Sequence, residues 1–248
     1  MMKITVVSTW YNEAFLAPFF LRHYQYADEI LILLDTETDD ETSDICSRFQ
    51  NVKVEDFHCP GGVNVRIHVE TTNAIIPNLD SDWVICVDAD EFVFPIGMED
   101  ARSVLRRVDG NMLFARMWQA YRHETDSDLD PTKPAILQRR HGDPDVLTEI
   151  NCLYNKPIIS KPEVGAQWNV GFHSYRPNPR IRLSNINFIG MHWQMVDADL
   201  AIQRRIKGQR DRQSKENLLH RWCHQHYQIT EEKIIAECRE HLHDPQLF

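Results

Sequence analysis

Short aliphatic runs alternate with amphipathic segments through the first hundred residues. Ile4 to Ser8 is a β-branched run, followed by polar WYNE and then by FLAPFFLRHY, whose apolar residues suit a helix packed on a sheet. The order then repeats. EILILL reads as a buried strand, DTETDDET as a carboxylate-rich turn, and Thr42 or Ser43 as the cap of a helix running through Arg48. Val52 to Phe57 reads as a third strand, PGG at Pro60 to Gly62 as a turn, Val65 to Leu79 as a helix, and WVICVD as a fourth strand. Such alternation predicts an α/β fold, a mostly parallel sheet with helices on both faces.

The second half reads differently. A helix is expected from Asp100 to Val108 and a strand over NMLFARMWQAY, followed by a long polar stretch from HETDSDLDPTKP to HGDPD. Strand-like pieces recur at Pro157 to Ser160 and Ile186 to Ile189. From Asp197 onward the pattern is helical and charged, with Arg204, Arg205, Lys207, Arg210, Arg212 and Lys215 close together. No internal repeat or low-complexity linker interrupts the chain.

Composition narrows the reading. The 248 residues carry 27 Lys and Arg against 37 Asp and Glu, a net charge of −10 that repels phosphate backbones and argues against nucleic acid as a partner. The six cysteines form no CxxC pair, and Cys86 sits inside an apolar strand, as expected for reduced thiols in a cytoplasmic protein. MMKITVVSTW lacks the length of a signal-peptide core, and no apolar run approaches a membrane span.

The candidate chemistry lies in VICVDADEFVFP, residues 84 to 95, where an apolar strand runs into Asp88, Asp90 and Glu91. In an extended strand Asp88 and Asp90 share a face and Glu91 points the other way. Two carboxylates about 5 Å apart at an effective dielectric near 20 repel by roughly 3 kcal/mol. A dication with oxygen preference, Mg²⁺ or Mn²⁺, offsets this better than a salt bridge while keeping positions open for phosphate oxygens. A solvated acidic turn is the plainer account of a lone DxD.

The motif has company. In order, STWYNEAFLAPFFLRHY, ADEILILLDTETDDET, DWVICVDADEF and a late GMHW resemble the GT-A glycosyltransferases, particularly the glycosyltransferase family 2-like group. The resemblance covers most of residues 3 to 100 and is thin from 101 to 180. It implies a GT-A type domain over 1–198, with a nucleotide-sugar-binding half at 1–96 and an acceptor-side half at 97–198, and a C-terminal helical extension over 199–248. It further implies transfer of a sugar from a UDP- or GDP-sugar donor to an acceptor hydroxyl on a glycan or glycolipid, with inversion and with Mn²⁺ or Mg²⁺, in cell-surface polysaccharide or lipopolysaccharide synthesis.

Residue by residue, the resemblance places Thr9, Tyr11, Asn12 and Glu13 around the nucleotide and Asp35 at the base or ribose. Asp88 and Asp90 then hold the metal and, through it, the diphosphate, with His192 completing the metal site. Glu91 orients the donor or caps the next segment. Arg66 and Asn73, on the helix before the motif, are donor-binding candidates, with helix-surface solvation favoured for Arg66. In DTETDDET, Glu41 stands where the family has glycine. A single displacement needs a base for the acceptor proton. Glu124, Asp126, Asp128, Asp143, Asp145, Glu149 and His173 are candidates, with preference for a carboxylate between 143 and 149, hence Asp145 and Glu149. The helical face of His220, Cys223 and His224 suits an amphipathic helix better than zinc, and the basic C-terminal helix is a candidate peripheral membrane contact.

Two rivals remain. A haloacid dehalogenase-like phosphohydrolase also uses DxD after a buried strand, but Phe92 stands where that group has Thr or Val. A catalytically silent nucleotide-sugar-binding module is the other.

Overall fold

The computed structural model describes residues 2–142, 155–186, 188–222 and 227–247. Strand β1 (Ile4–Trp10) pairs in parallel with β2 (Glu29–Asp35) on one side and β4 (Trp83–Cys86) on the other, and β3 (Val52–Phe57) continues the parallel set beyond β2. Alternate residues of these strands enter two cores. Ile4, Val6, Ile30 and Ile32 pack with Phe20, Tyr24 and Trp193, while Val7, Leu31 and Leu33 pack with Ile76, Val84 and Trp168. Burial on both faces is why β1 and β2 read as unbroken apolar runs.

Four helices connect this half: α1 (Ala17–His23), α2 (Thr42–Cys46), α3 (Val65–Ile75) and α4 (Ala101–Arg106). Asn64 caps α3 by accepting from the amides of Arg66 and Ile67, and Asp100 caps α4 by accepting from Ser103. Two expected boundaries shift. The helix expected through Leu79 changes at Ile76–Asn78 into a 3₁₀ turn, because Pro77 has no amide to continue the ladder. Thr42 opens α2 instead of capping it, Glu41 holds the cap position without a side-chain bond, and the helix stops at Cys46 and not at Arg48.

Beyond β4 the same sheet continues with strands from the second half. β5 (Glu91–Pro95), β6 (Met112–Tyr121), β7 (His141–Gly142), β8 (Lys156–Ser160) and β9 (Phe188–Met195) complete nine strands among the described residues. The order is β3-β2-β1-β4-β8-β6-β9-β5, with β7 on β6. The fold is thus α/β as expected, parallel through β3-β2-β1-β4 and mixed beyond, since β8 runs antiparallel to both β4 and β6. β5 is a further strand over the apolar FVFP, which the expected strand WVICVD did not include. Its register on β9 sets Glu91 opposite His192.

The chain closes with α5 (Ala198–Ile202), a π-helical segment Gln203–Gln209, a 3₁₀ turn Arg210–Arg212, α6 (Lys215–His220) and α7 (Glu231–Glu240). Cys46, Cys59, Cys86 and Cys238 are free thiols. Among the described residues no helix is long and apolar enough to cross a membrane.

Candidate functional site

Two loops meet where β1 and β2 end. Asn12, in the left-handed region at φ 51°, donates from Nδ2 to Asp39 Oδ1 at 2.6 Å and accepts from the Asp39 amide at 2.9 Å. Asp40 takes the amides of Ala14 and Thr42, each at 3.0 Å, and the Thr42 hydroxyl accepts from the Glu13 amide at 2.8 Å. Glu41, at φ −79°, needs no glycine. Asn12, expected against the nucleotide, has both ends of its amide committed to this clamp, which holds Glu13 in place.

Strand β4 stops at Cys86, so Asp88 and Asp90 lie in the turn that follows and the shared-face argument for the pair does not apply. Asp88 Oδ2 accepts from Lys156 Nζ at 3.0 Å, and the same ammonium closes on Glu91 Oε1. Glu91 Oε2 turns back to the Asp88 amide at 3.0 Å. Far from facing away, Glu91 shares its cation with Asp88. Asp90 Oδ2 accepts from the Arg204 guanidinium, whose other nitrogens hold both Glu13 oxygens at 2.8 and 3.1 Å. His192 presents Nε2 to Asp90 Oδ2 at 3.4 Å, while its Nδ1 lies 2.9 Å from Gln119 Oε1.

Lys156, which is buried, and Arg204, which is nearly so, bracket these charges in the folded chain. Lys156 and Arg204 were missed as site residues. The sequence did carry a signal for each: Lys156 is a lone cation entering an apolar strand, and Arg204 heads the basic run.

Burial and pairing set the protonation. Burial alone raises Asp90, but Arg204 and then His192 outweigh it and hold its carboxyl well below the ordinary range. Glu13 goes the other way, pushed up to about 7 by burial, with Arg204 opposing. Burial likewise raises Glu91 against the pull of Lys156. Lys156, although buried, is held above the ordinary lysine value by Asp88 and Glu91.

Asp88, Asp90 and His192 do not fit one metal ion as the chain is folded. Asp90 Oδ2 is taken by Arg204, Asp88 turns to Lys156, and the three do not bring their donor atoms within 4.8 Å of one another. Asp88 is the accessible member, with a side chain 52% exposed against 4% for Asp90.

The other expected contacts divide. Thr9 is half-buried at the end of β1. Asp35 is buried and accepts from Arg212 Nη2 at 3.1 Å and from the Glu37 amide at 2.9 Å. The same guanidinium lies over the Tyr11 ring, 3.3 Å from its centroid. Asn12 and Glu13 instead line a cleft of ≈ 540 Å³ with Asp40, Arg48, Gln203 and Arg204. Arg66 is on the surface, bound to Glu70 at 2.9 Å and Glu216 at 2.6 Å. Asn73 is buried and spends its amide on the Trp168 backbone, donating at 3.0 Å and accepting at 2.8 Å. Both residues tie elements together and leave the carboxylate cluster to others. His173 follows Gly171 at φ 80° and Phe172 at φ 61°, within electrostatic reach of Lys156, Asp88 and His192. Asp143, Asp145, Glu149, Cys223 and His224 lie outside the described residues.

No family model matches the chain, and no curated protein matches it. Among solved structures, it is similar to the 1–349 fragment of S. aureus TarS in complex with UDP-GlcNAc, at 14% identity and a TM-score of 0.43 over 81% of this chain and 61% of that one. S. aureus TarS matches at 13% identity and a TM-score of 0.44, over 97% of this chain and 43% of that one. Mannosyl-3-phosphoglycerate synthase from Rubrobacter xylanophilus matches at 17% identity and a TM-score of 0.33, over 52% and 44%. The chain spans about three fifths of the first of these and less than half of the other two.

Proposed function

We propose that this protein is a glycosyltransferase of the GT-A type that binds a nucleotide-sugar, a UDP- or GDP-sugar, and transfers the sugar to an acceptor hydroxyl. One observation carries the reading: Glu13, Asp88, Asp90 and Glu91 gather with Lys156 and Arg204 beyond the ends of β1 and β4, beside Tyr11 and Asp35 at the ends of β1 and β2. Open α/β sheets bind ligands at the carboxyl ends of their parallel strands. An aromatic ring beside a buried carboxylate suits a base, and fixed cations suit a diphosphate.

Breaking the bond between sugar and diphosphate gathers negative charge on the leaving group, and positive groups already held in place lower that barrier without rearranging. Lys156 and Arg204 are the fixed cations of this cluster, each already shared between two carboxylates, so a diphosphate has to compete with those partners for them. Asp88, half exposed, is the carboxylate placed to meet the donor. Among the described residues His173 is the base candidate beside the cluster, a neutral and weakly basic imidazole with its pKa pushed down to about 4, first by burial and next by Lys156. Asp145 and Glu149 stand as the alternatives. Inversion, a glycan or glycolipid acceptor and a place in cell-surface polysaccharide synthesis are the finer parts of the proposal, and a requirement for Mn²⁺ or Mg²⁺ would need Asp90 to release Arg204 and Asp88 to release Lys156.

Thermal unfolding with UDP, GDP and their sugars, with Mn²⁺ and with EDTA, tests it, because a ligand of the folded state raises its apparent stability. The reading expects a nucleotide-dependent rise that is reduced in Asp35→Asn. Persistence in EDTA assigns the charge compensation to Lys156 and Arg204, and loss in EDTA assigns it to an added ion. A flat response to every nucleotide overturns the reading. Release of inorganic phosphate from simple phosphomonoesters replaces it with the hydrolase, and binding without transfer to acceptor or water replaces it with the silent module.

A further inference from the structure

Away from the carboxylate cluster, the segment after β6 meets the end of the chain. The Glu124 amide donates to the Leu242 carbonyl at 3.0 Å, the Leu247 amide to Arg140 at 2.9 Å, and the Gly142 amide to Pro245 at 3.4 Å. His241 stacks on Tyr121 with ring centroids 3.8 Å apart, and its Nδ1 lies 2.7 Å from Asp244 Oδ2. Residues 241 to 247 are thus strapped across β6 and β7 by their own backbone.

Within that frame His123, Glu124 and His243 bring one donor atom each to within 4.8 Å of one another, as no other group among the described residues does. His243 Nδ1 is 3.3 Å from Glu124 Oε1. Donors around a tetrahedral Zn²⁺ at ordinary bond lengths are about 3.4 Å apart, so small side-chain adjustments close the set. Glu124 and His243, with side chains 57% and 70% exposed, have the freedom to make them. His123 is the fixed member. Its ring stacks on His141 at 4.1 Å, and its Nδ1 lies 2.8 Å from Thr125 Oγ1. The Thr125 amide also donates to Nδ1, at 3.2 Å, so two contacts from one residue fix the ring.

We propose that His123, Glu124 and His243 form a zinc site that ties the C-terminal tail to the end of β6. Two imidazoles and one carboxylate are a donor set for Zn²⁺ and not for Mg²⁺ or Ca²⁺, which take oxygen. Water completes the fourth position. Joining residues so far apart in sequence closes a long loop, so the ion stabilises the folded chain and holds the tail on the sheet.

The test uses the full chain, stripped with EDTA and free of nucleotide. Zn²⁺ is expected to raise Tm with saturation near one equivalent, and Co²⁺ to give the strong visible absorption of a tetrahedral site. His243→Ala and the double variant His123→Ala/His243→Ala are expected to lose both responses. The metal-free Tm of His243→Ala is expected to stay at the wild-type value, because that ring is exposed and its loss opens no core. Asp88→Asn is expected to leave the zinc response intact. No response in the wild type overturns the proposal, and so does a response that survives the double variant.

Discussion

The Arg204 guanidinium closes on the Asp90 carboxylate, a residue 114 positions earlier, with the Asp90 side chain buried and that of Arg204 12% exposed. Through its other nitrogens it holds Glu13 as well, so one cation from the π-helical segment joins the loop after β1 to the turn after β4.

Removing that cation leaves two buried carboxylates without it. Arg204→Ala is expected to destabilise the fold by about 3–5 kcal/mol, the usual result of breaking a buried pair from one side. Arg204→Lys recovers only part, since an ammonium does not reproduce the bidentate fork. Urea unfolding of the two variants measures both.

Glu13 gives stability a pH dependence whose sign follows from its raised pKa. The folded carboxyl titrates near 7 and the ordinary one near 4.5, so the folded state holds the proton more tightly between those values. Its contribution therefore favours folding at acid pH and fades as pH rises from about 4.5 to about 7, by roughly 3 kcal/mol in full. Asp90, whose folded pKa is depressed, acts oppositely: its contribution is present above the ordinary aspartate value and lost on acidification below it. Glu13→Gln is expected to flatten the 4.5–7 slope and spare the acid limb, as read from denaturation midpoints across pH.

Arg212 covers Tyr11 and is bonded to Asp35, the two residues proposed to receive the base. A nucleotide entering there has to displace it. Arg212→Ala is expected to tighten UDP or GDP binding and Asp35→Asn to weaken it, by calorimetry. Equal affinity in Arg212→Ala and wild type would show that the base binds elsewhere.

Asn73 separates a structural role from a donor-binding one. Its buried amide satisfies the Trp168 amide and carbonyl, so Asn73→Ala is expected to cost about 1–3 kcal/mol of stability. Nucleotide affinity, measured well below the unfolding temperature, is expected to stay unchanged. A selective loss of affinity would return Asn73 to the donor pocket.

Residues 1 to 86 were legible because their physics is local. Runs such as EILILL are buried on both faces of a parallel sheet, and that burial writes itself into sequence as continuous apolarity. Asp88, Asp90 and Glu91 also announced a charge cluster, since three carboxylates beside an apolar strand are costly unless something offsets them. What offsets them was not legible. Lys156 and Arg204 arrive from β8 and from the π-helical segment, and no periodicity near residue 90 records which distant cation will fold against it. The direction of Glu91 depended on β4 stopping at Cys86, and the duties of Asn12, Arg66 and Asn73 on partners far along the chain. Sequence by itself determined the strands, their α/β order and the place where charge collects. Only the tertiary structure decided how that charge is balanced, because electrostatic pairing acts through space and takes no account of separation along the chain.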